Sequence, residues 1–168
     1  MKIILIGFMG VGKTSVGKQL ARKLDFNFID TDYEIERLSN KSIPEIFEQY
    51  GENYFRKLEN SILEKFVKNE DIVMATGGGI ITTKENYNIL KNEEKVIFLD
   101  GSVETIINHV QNERNQRPLL KESENLSKKI EELLSIRYEK YIEVSDILID
   151  INGKNIDEVI SQILVYIG

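Results

Sequence analysis

The sequence predicts an α/β domain in which a parallel sheet is covered on both faces by helices, and three observations carry that prediction. Short apolar runs recur at residues 3–6, 28–29, 72–75, 96–99 and 147–151. Continuous apolar runs of strand length belong to strands buried on both faces. The segments between them have helical spacing, and alternation of the two patterns defines the α/β class. A chain of 168 residues, 41% hydrophobic and 30% charged, suits one domain burying about two-thirds of its unfolded surface.

Taken in order, the run 3–6 is a strand rather than a signal peptide, because it breaks into glycines and Lys13 with no small-residue cleavage site. A helix is expected from near Lys13. The short strand 28–29 runs into Asp30-Thr31-Asp32, where Thr31 and Glu34 have the spacing of a capping box. Ser42 followed by Pro44 marks the next helix start, and that helix carries an apolar stripe of Phe55, Leu58, Ile62 and Phe66. Strand 72–75 leads through Thr76-Gly77-Gly78-Gly79 to a helix at Thr83. Ser102 opens a helix after strand 96–99, and Asn155 with Glu158 caps the last one after strand 147–151. Between Glu113 and Asn125 the chain is polar, contains Arg114, Arg117 and Pro118, and lacks an apolar period. We expect a mobile surface loop there, of a length suited to a lid.

Composition excludes several classes of function. The net charge of −6 argues against nucleic acid or an anionic membrane as partner, so an anionic ligand must meet a local basic cluster. With no cysteine and a single histidine, His109, disulfides, thiolate nucleophiles and cysteine or all-histidine metal sites drop out. No uncharged stretch approaches the ~20 residues that span a bilayer. We expect a cytoplasmic protein.

The strongest chemical signal is Gly7-Phe8-Met9-Gly10-Val11-Gly12-Lys13-Thr14, a complete phosphate-binding loop between a strand and a helix. Its glycines let backbone N–H groups converge on phosphate oxygens at a helix N-terminus. Lys13 is placed to reach the β- and γ-phosphates and the Thr14 hydroxyl to ligate Mg²⁺. Asp30 and Asp32 end a strand at the carboxyl edge of the sheet, where open α/β folds bind ligands. Helix capping competes with catalysis as the reason for Asp32. The chain has sixteen lysines and six arginines, and two arginines stand out. Arg137 falls near the centre of the stripe made by Leu126, Ile130, Leu133, Leu134 and Tyr141, and Arg56 flanks its own stripe with Glu59 one turn on. Planar guanidinium forks suit a carboxylate. Internal salt bridges are the competing reading. Three glycines at 77–79 cost about 0.5–1 kcal/mol each in backbone entropy, which points to close approach of backbone to a ligand rather than a plain turn.

These residues resemble those of the shikimate kinases, small phosphate-loop enzymes of the nucleoside-monophosphate-kinase type, and the match runs end to end. It rests on Gly7 to Thr14, Phe28 to Asp32, Ile46-Phe47 through Gly51-Glu52 to Phe55-Arg56-Lys57-Leu58-Glu59, Thr76 to Gly79, Arg117-Pro118-Leu119-Leu120, and Arg137 with Tyr141. The resemblance implies a three-layer fold with a five-stranded parallel sheet in order 2-3-1-4-5. It further implies one domain over residues 1–168, with a shikimate-binding region near 31–60 and a lid near 112–124. The implied reaction moves the γ-phosphoryl group of ATP to the 3-hydroxyl of shikimate in aromatic amino-acid biosynthesis, with Mg²⁺. The implied nucleotide contacts are Gly10, Val11, Gly12, Lys13, Thr14, Ser15 and Arg117, with Asp30 reaching Mg²⁺ through water beside Thr14. Asp32 orients the acceptor hydroxyl and Arg117 meets the transferring phosphate. Arg56 and Arg137 clamp the carboxylate, Glu59 positions Arg56, Phe47 and Phe55 wall the ring, and Gly78 and Gly79 touch the substrate through their backbone. The family usually stacks an arginine on adenine where this chain has His109, with Arg114 a few residues on, and adenine contacts fall near Asn152, Gly153 and Lys154. ATP and shikimate are the expected partners of a monomer, with no nucleic acid and no membrane. A kinase of another small hydroxy acid, such as gluconate, and a non-catalytic nucleotide-binding regulator are the competing readings.

Overall fold

A computed structural model of the chain describes residues 1–111, 118–120 and 125–168. Five strands form one sheet: β1 (Lys2–Ile6), β2 (Asn27–Asp30), β3 (Ile72–Ala75), β4 (Val96–Asp100) and β5 (Ile147–Asp150). The order is β2-β3-β1-β4-β5 and every pairing is parallel; the alternating pattern predicts the parallel pairing and the family resemblance implies the order. Seven helices among the described residues connect and cover them: α1 (Lys13–Leu24), α2 (Thr31–Ser39), α3 (Ile43–Phe66), α4 (Lys84–Lys91), α5 (Val103–Val110), α6 (Leu126–Val144) and α7 (Ile156–Ile167).

The continuous apolar run of β1 has a direct structural reason. Ile3, Ile4, Leu5 and Ile6 are all fully buried, and alternate side chains feed opposite faces. Ile3 and Leu5 join α1, α5 and α7 through Leu20, Ile106, Ile160 and Ile163. Ile4 and Ile6 join α3, α4 and α6 through Leu63, Leu90, Tyr141 and Val144. Each such side chain taken from water contributes roughly 1.5–3 kcal/mol. The central strand is thereby clamped on both sides, and its carboxyl end becomes a fixed platform.

Helix starts follow the local chemistry with one correction. Ser42 and Glu45 form a complete capping box at α3, with Pro44 in the first turn, and Asn155 with Glu158 forms another at α7. Ser102 and Thr83 cap α5 and α4. At α2, however, the cap is Asp30, whose carboxylate accepts from the backbone N–H groups of Asp32 and Tyr33. Thr31 makes no capping box with Glu34, because its hydroxyl accepts instead from the N–H of Gly77 at 3.0 Å. Tertiary contact with the glycine loop has taken the threonine, and the neighbouring carboxylate fills the cap.

α3 is interrupted at Gly51, with φ 81° and ψ 173°. A Cβ there would meet no atom within 4 Å, so glycine is needed for its positive φ and not for space. Residues eight apart lie about 12 Å apart along a straight helix, yet the rings of Phe47 and Phe55 approach to 4.9 Å between centroids. The kink turns both aromatics toward one cavity.

Candidate active site

Chain direction puts the loops after β1, β2 and β3 at one edge of the sheet, the carboxyl end. The first loop curls over α1. Its last glycine, Gly12, sits at φ 92° as the α1 N-cap and offers no side-chain cap, so the first-turn N–H groups and the positive end of the helix dipole face a cavity. Lys13 is buried, with its ammonium donating to the carbonyls of Gly7 at 2.7 Å and Phe8 at 2.8 Å. Thr14 Oγ1 donates to Asp30 Oδ2 at 2.6 Å. Gly10, Val11, Gly12, Lys13, Thr14, Ser15, Asp30 and Asp32 all line this cavity of about 1000 Å³, the upper end of the range for small-molecule sites.

Thr14 and Asp30 bring a hydroxyl and a carboxylate oxygen together beside the loop. Hard oxygen donors of this kind suit Mg²⁺, which takes few protein ligands and fills the rest of its shell with water and phosphate. Among the described residues no group of three or more His, Asp or Glu could hold a metal ion by itself.

A second cavity adjoins the first and shares Met9, Asp32, Gly77 and Gly78 with it. Phe47, Phe55, Arg56, Glu59, Gly79 and Arg137 are among the residues that also line it. Both arginines are buried, at 8% and 3% exposure. Burial opposes the charge of Arg56, but Glu59 at 2.8 Å and Glu52 at 3.2 Å outweigh it and hold its pKa above the ordinary arginine value. Burial pushes the fully enclosed Glu59 carboxyl up, against the pull of Arg56 and Arg137. Arg137 lies over the Phe8 ring at 5.7 Å. Two donors of this cavity find no acceptor among the described residues: Arg56 Nε and Arg137 Nη1, both buried. A buried N–H without an acceptor costs about 1–3 kcal/mol, more when charged. An anionic ligand in this cavity would supply acceptors for both donors.

The expected site residues therefore converge, with specific exceptions. Arg117, Arg114 and most of the expected lid lie outside the described residues; of that stretch Pro118 and Leu119 line the second cavity. His109, Gly153 and Lys154 line the nucleotide cavity while Asn152 does not. Asn152 Oδ1 instead accepts from the N–H of Ser102 and the hydroxyl of Thr105. His109 Nδ1 pairs with the Gly10 carbonyl, which ties α5 to the phosphate loop. Sequence reasoning missed Met9, which lines both cavities, and the role of Thr31 in anchoring the glycine loop. It also missed that Gly77 makes room for two carboxylates: a Cβ there would lie 2.7 Å from Asp32 Oδ1 and 2.9 Å from Glu59 Oε2. Only the run of glycines signalled the last of these.

A phosphate loop at the carboxyl edge of a parallel sheet, joined through shared residues to a second, cationic cavity, defines a kinase of the phosphate-loop class acting on a small anionic acceptor. The Shikimate kinase family model matches residues 9–167. A shikimate kinase of Persephonella marina is 41% identical over 162 residues, covering 96% of this chain and 96% of the relative. The solved structure of the Acinetobacter baumannii shikimate kinase in complex with shikimate has a TM-score of 0.95 at 39% identity, covering 99% of this chain and 92% of that one. The shikimate kinase of Aquifex aeolicus gives 0.85 at 36% identity, with 99% and 96% covered. The chain belongs to the shikimate kinase family, and it is an ATP-dependent phosphotransferase.

Proposed function

We propose that this chain transfers the γ-phosphoryl group of ATP to the 3-hydroxyl of shikimate, giving ADP and shikimate 3-phosphate in aromatic amino-acid biosynthesis, and that the residues of its two cavities divide the work. Family membership carries the reaction. The observation that supports the division is the pair of buried arginines with unmatched donors in a cavity that shares Asp32 with the nucleotide cavity.

Phosphoryl transfer needs positioning and charge stabilisation more than covalent chemistry. The N–H groups of residues 10–15 and the α1 dipole hold the phosphates, and Lys13 leaves the carbonyls of Gly7 and Phe8 for the β- and γ-phosphate oxygens. Arg56 and Arg137 grip the shikimate carboxylate, with Glu59 holding Arg56 in register. Phe47 and Phe55 bound the ring, and the backbone of Gly78 and Gly79 faces it. The 3-hydroxyl then lies at Asp32, which orients it and accepts its proton as the new P–O bond forms and the bond to the β-phosphate oxygen breaks. Thr14 and Asp30 would hold Mg²⁺, Asp30 through water. When bound there, the ion would supply charge neutralisation for the phosphates. Arg117, outside the described residues, meets the transferring phosphate, and the acceptor region spans about 31–60 of a single domain.

The reading carries with it a cytoplasmic monomer. Among the described residues no helix is long and apolar enough to cross a membrane, and the net charge of −6 disfavours nucleic acid as a partner. A coupled assay of ADP release tests the reading: shikimate supports turnover and gluconate does not. Turnover with gluconate alone, or with no acid tried, overturns it.

A further inference from the structure

Tyr141 is the largest fully buried side chain and sits one turn after Arg137 on α6. Its ring stacks on Phe98 of β4, 5.0 Å between centroids, which accounts for the ring but not for the hydroxyl. That hydroxyl donates to the carbonyl of Gly78, and the charge of the Arg137 guanidinium, one turn back on the same helix, acts on the same oxygen. Burial pushes the phenol up to about 12 despite Arg137, so it remains a protonated donor throughout the working range.

The Gly78 carbonyl belongs to the same planar trans peptide as the Gly79 N–H, and in such a unit the two bonds point in opposite directions. Anchoring the carbonyl on Tyr141 therefore aims the Gly79 N–H away from α6. Gly79 lines the acceptor cavity, and its N–H has no acceptor among the described residues. The loop has little room to settle otherwise: a Cβ on Gly78 would lie 2.9 Å from the Met9 backbone nitrogen, and one on Gly79 would lie 2.3 Å from Arg56 Nη2. The glycine loop is wedged between the phosphate loop and one arginine, and Tyr141 ties it to the helix that carries the other.

We infer that Tyr141 is a positioning residue for the acceptor, its hydroxyl fixing the Gly78–Gly79 peptide and Arg137 in one arrangement so that an N–H donor and a guanidinium meet the same ligand. The inference rests on the reading that this cavity holds shikimate. Tyr141→Phe keeps the ring and its stack and removes only the hydroxyl. The shikimate KM is expected to rise about tenfold, with kcat reduced and the ATP KM within twofold. Phe98→Leu removes the stack and spares the hydroxyl; it is expected to lower the melting temperature and leave the shikimate KM within twofold. In the unaltered protein, adding shikimate is expected to move the Gly79 amide proton downfield, a readout that needs no variant to fold.

Arg137→Lys separates the two levels. If it raises the shikimate KM while Tyr141→Phe does not, the inference fails and the site reading stands. If neither variant moves it, the site reading fails first and takes the inference with it. A Tyr141→Phe enzyme that melts earlier with both KM values raised alike, or a Gly79 amide unmoved by shikimate, also overturns the inference.

Discussion

Gly79→Ala offers a sharp perturbation because the structure says where the added methyl goes. Gly79 does not have a left-handed φ, so alanine can adopt its backbone conformation and the effect is steric. The new Cβ would stand 2.3 Å from Arg56 Nη2, 2.4 Å from Nη1 and 2.5 Å from Cζ. Relief to ordinary contact near 3.5 Å requires the guanidinium to move about 1 Å. Arg56 is held by Glu59 at 2.8 Å and Glu52 at 3.2 Å, and a shift of that size breaks the closer pair and turns the fork away from a bound carboxylate. One lost hydrogen bond to a charged group is worth roughly 1.5–3 kcal/mol, or about tenfold to a hundredfold in the shikimate Kd. Affinity for a non-hydrolysable ATP analogue is expected to stay within about threefold, since neither Gly79 nor Arg56 lines the nucleotide cavity. Titration calorimetry with each ligand measures both. Repeating the change in an Arg56→Lys background closes a double-mutant cycle: if the methyl acts through Arg56, the two losses are strongly non-additive. A shikimate Kd within twofold of the parent, or strictly additive losses, would refute the reasoning.

Three further outcomes are expected. Lys13→Ala lowers kcat by about a hundredfold or more, the scale of losing a charge-stabilising donor, while shikimate Kd by calorimetry stays within about threefold. Asp32→Asn preserves shape and lowers kcat by roughly 10²–10⁴ with a much smaller change in shikimate Kd; near-normal kcat would leave Asp32 with only its place in the first turn of α2. Asp30→Asn retains an oxygen for the α2 cap, so circular dichroism should give an unchanged melting curve, while the Mg²⁺ concentration needed for half-maximal rate rises severalfold. An unchanged Mg²⁺ requirement would remove Asp30 from the metal site.

How far the sequence reached differs between levels. The sheet was legible because strands buried on both faces leave continuous apolar runs, and β1 is wholly buried from Ile3 to Ile6. The nucleotide site was legible because its chemistry lies in one contiguous loop with fixed spacing. Arg137 could be singled out because a charge inside an apolar stripe must have a partner. The cap of α2 was misread because local rules see Thr31 and Glu34 at the right spacing but not the Gly77 N–H that takes the threonine hydroxyl. The break at Gly51 left no signal beyond the glycine, which helices tolerate at a cost of about 1 kcal/mol. The duty of Tyr141 was invisible, and that of Gly77 was signalled only by its run of glycines, for the same reason: each depends on a contact between segments far apart in the chain.

If two cavities joined at Asp32 bring one hydroxyl of one ring acid to the γ-phosphate, only one oxygen of the acceptor is phosphorylated. Identifying the phosphorylated oxygen tests it most directly. The protein is incubated with ATP, Mg²⁺ and shikimate, and the product is examined by phosphorus-coupled proton NMR. A single phosphate ester is expected, with coupling from phosphorus to the proton on C3 and an equal yield of ADP. A phosphate on another hydroxyl, or ADP formed without any shikimate ester, would contradict it.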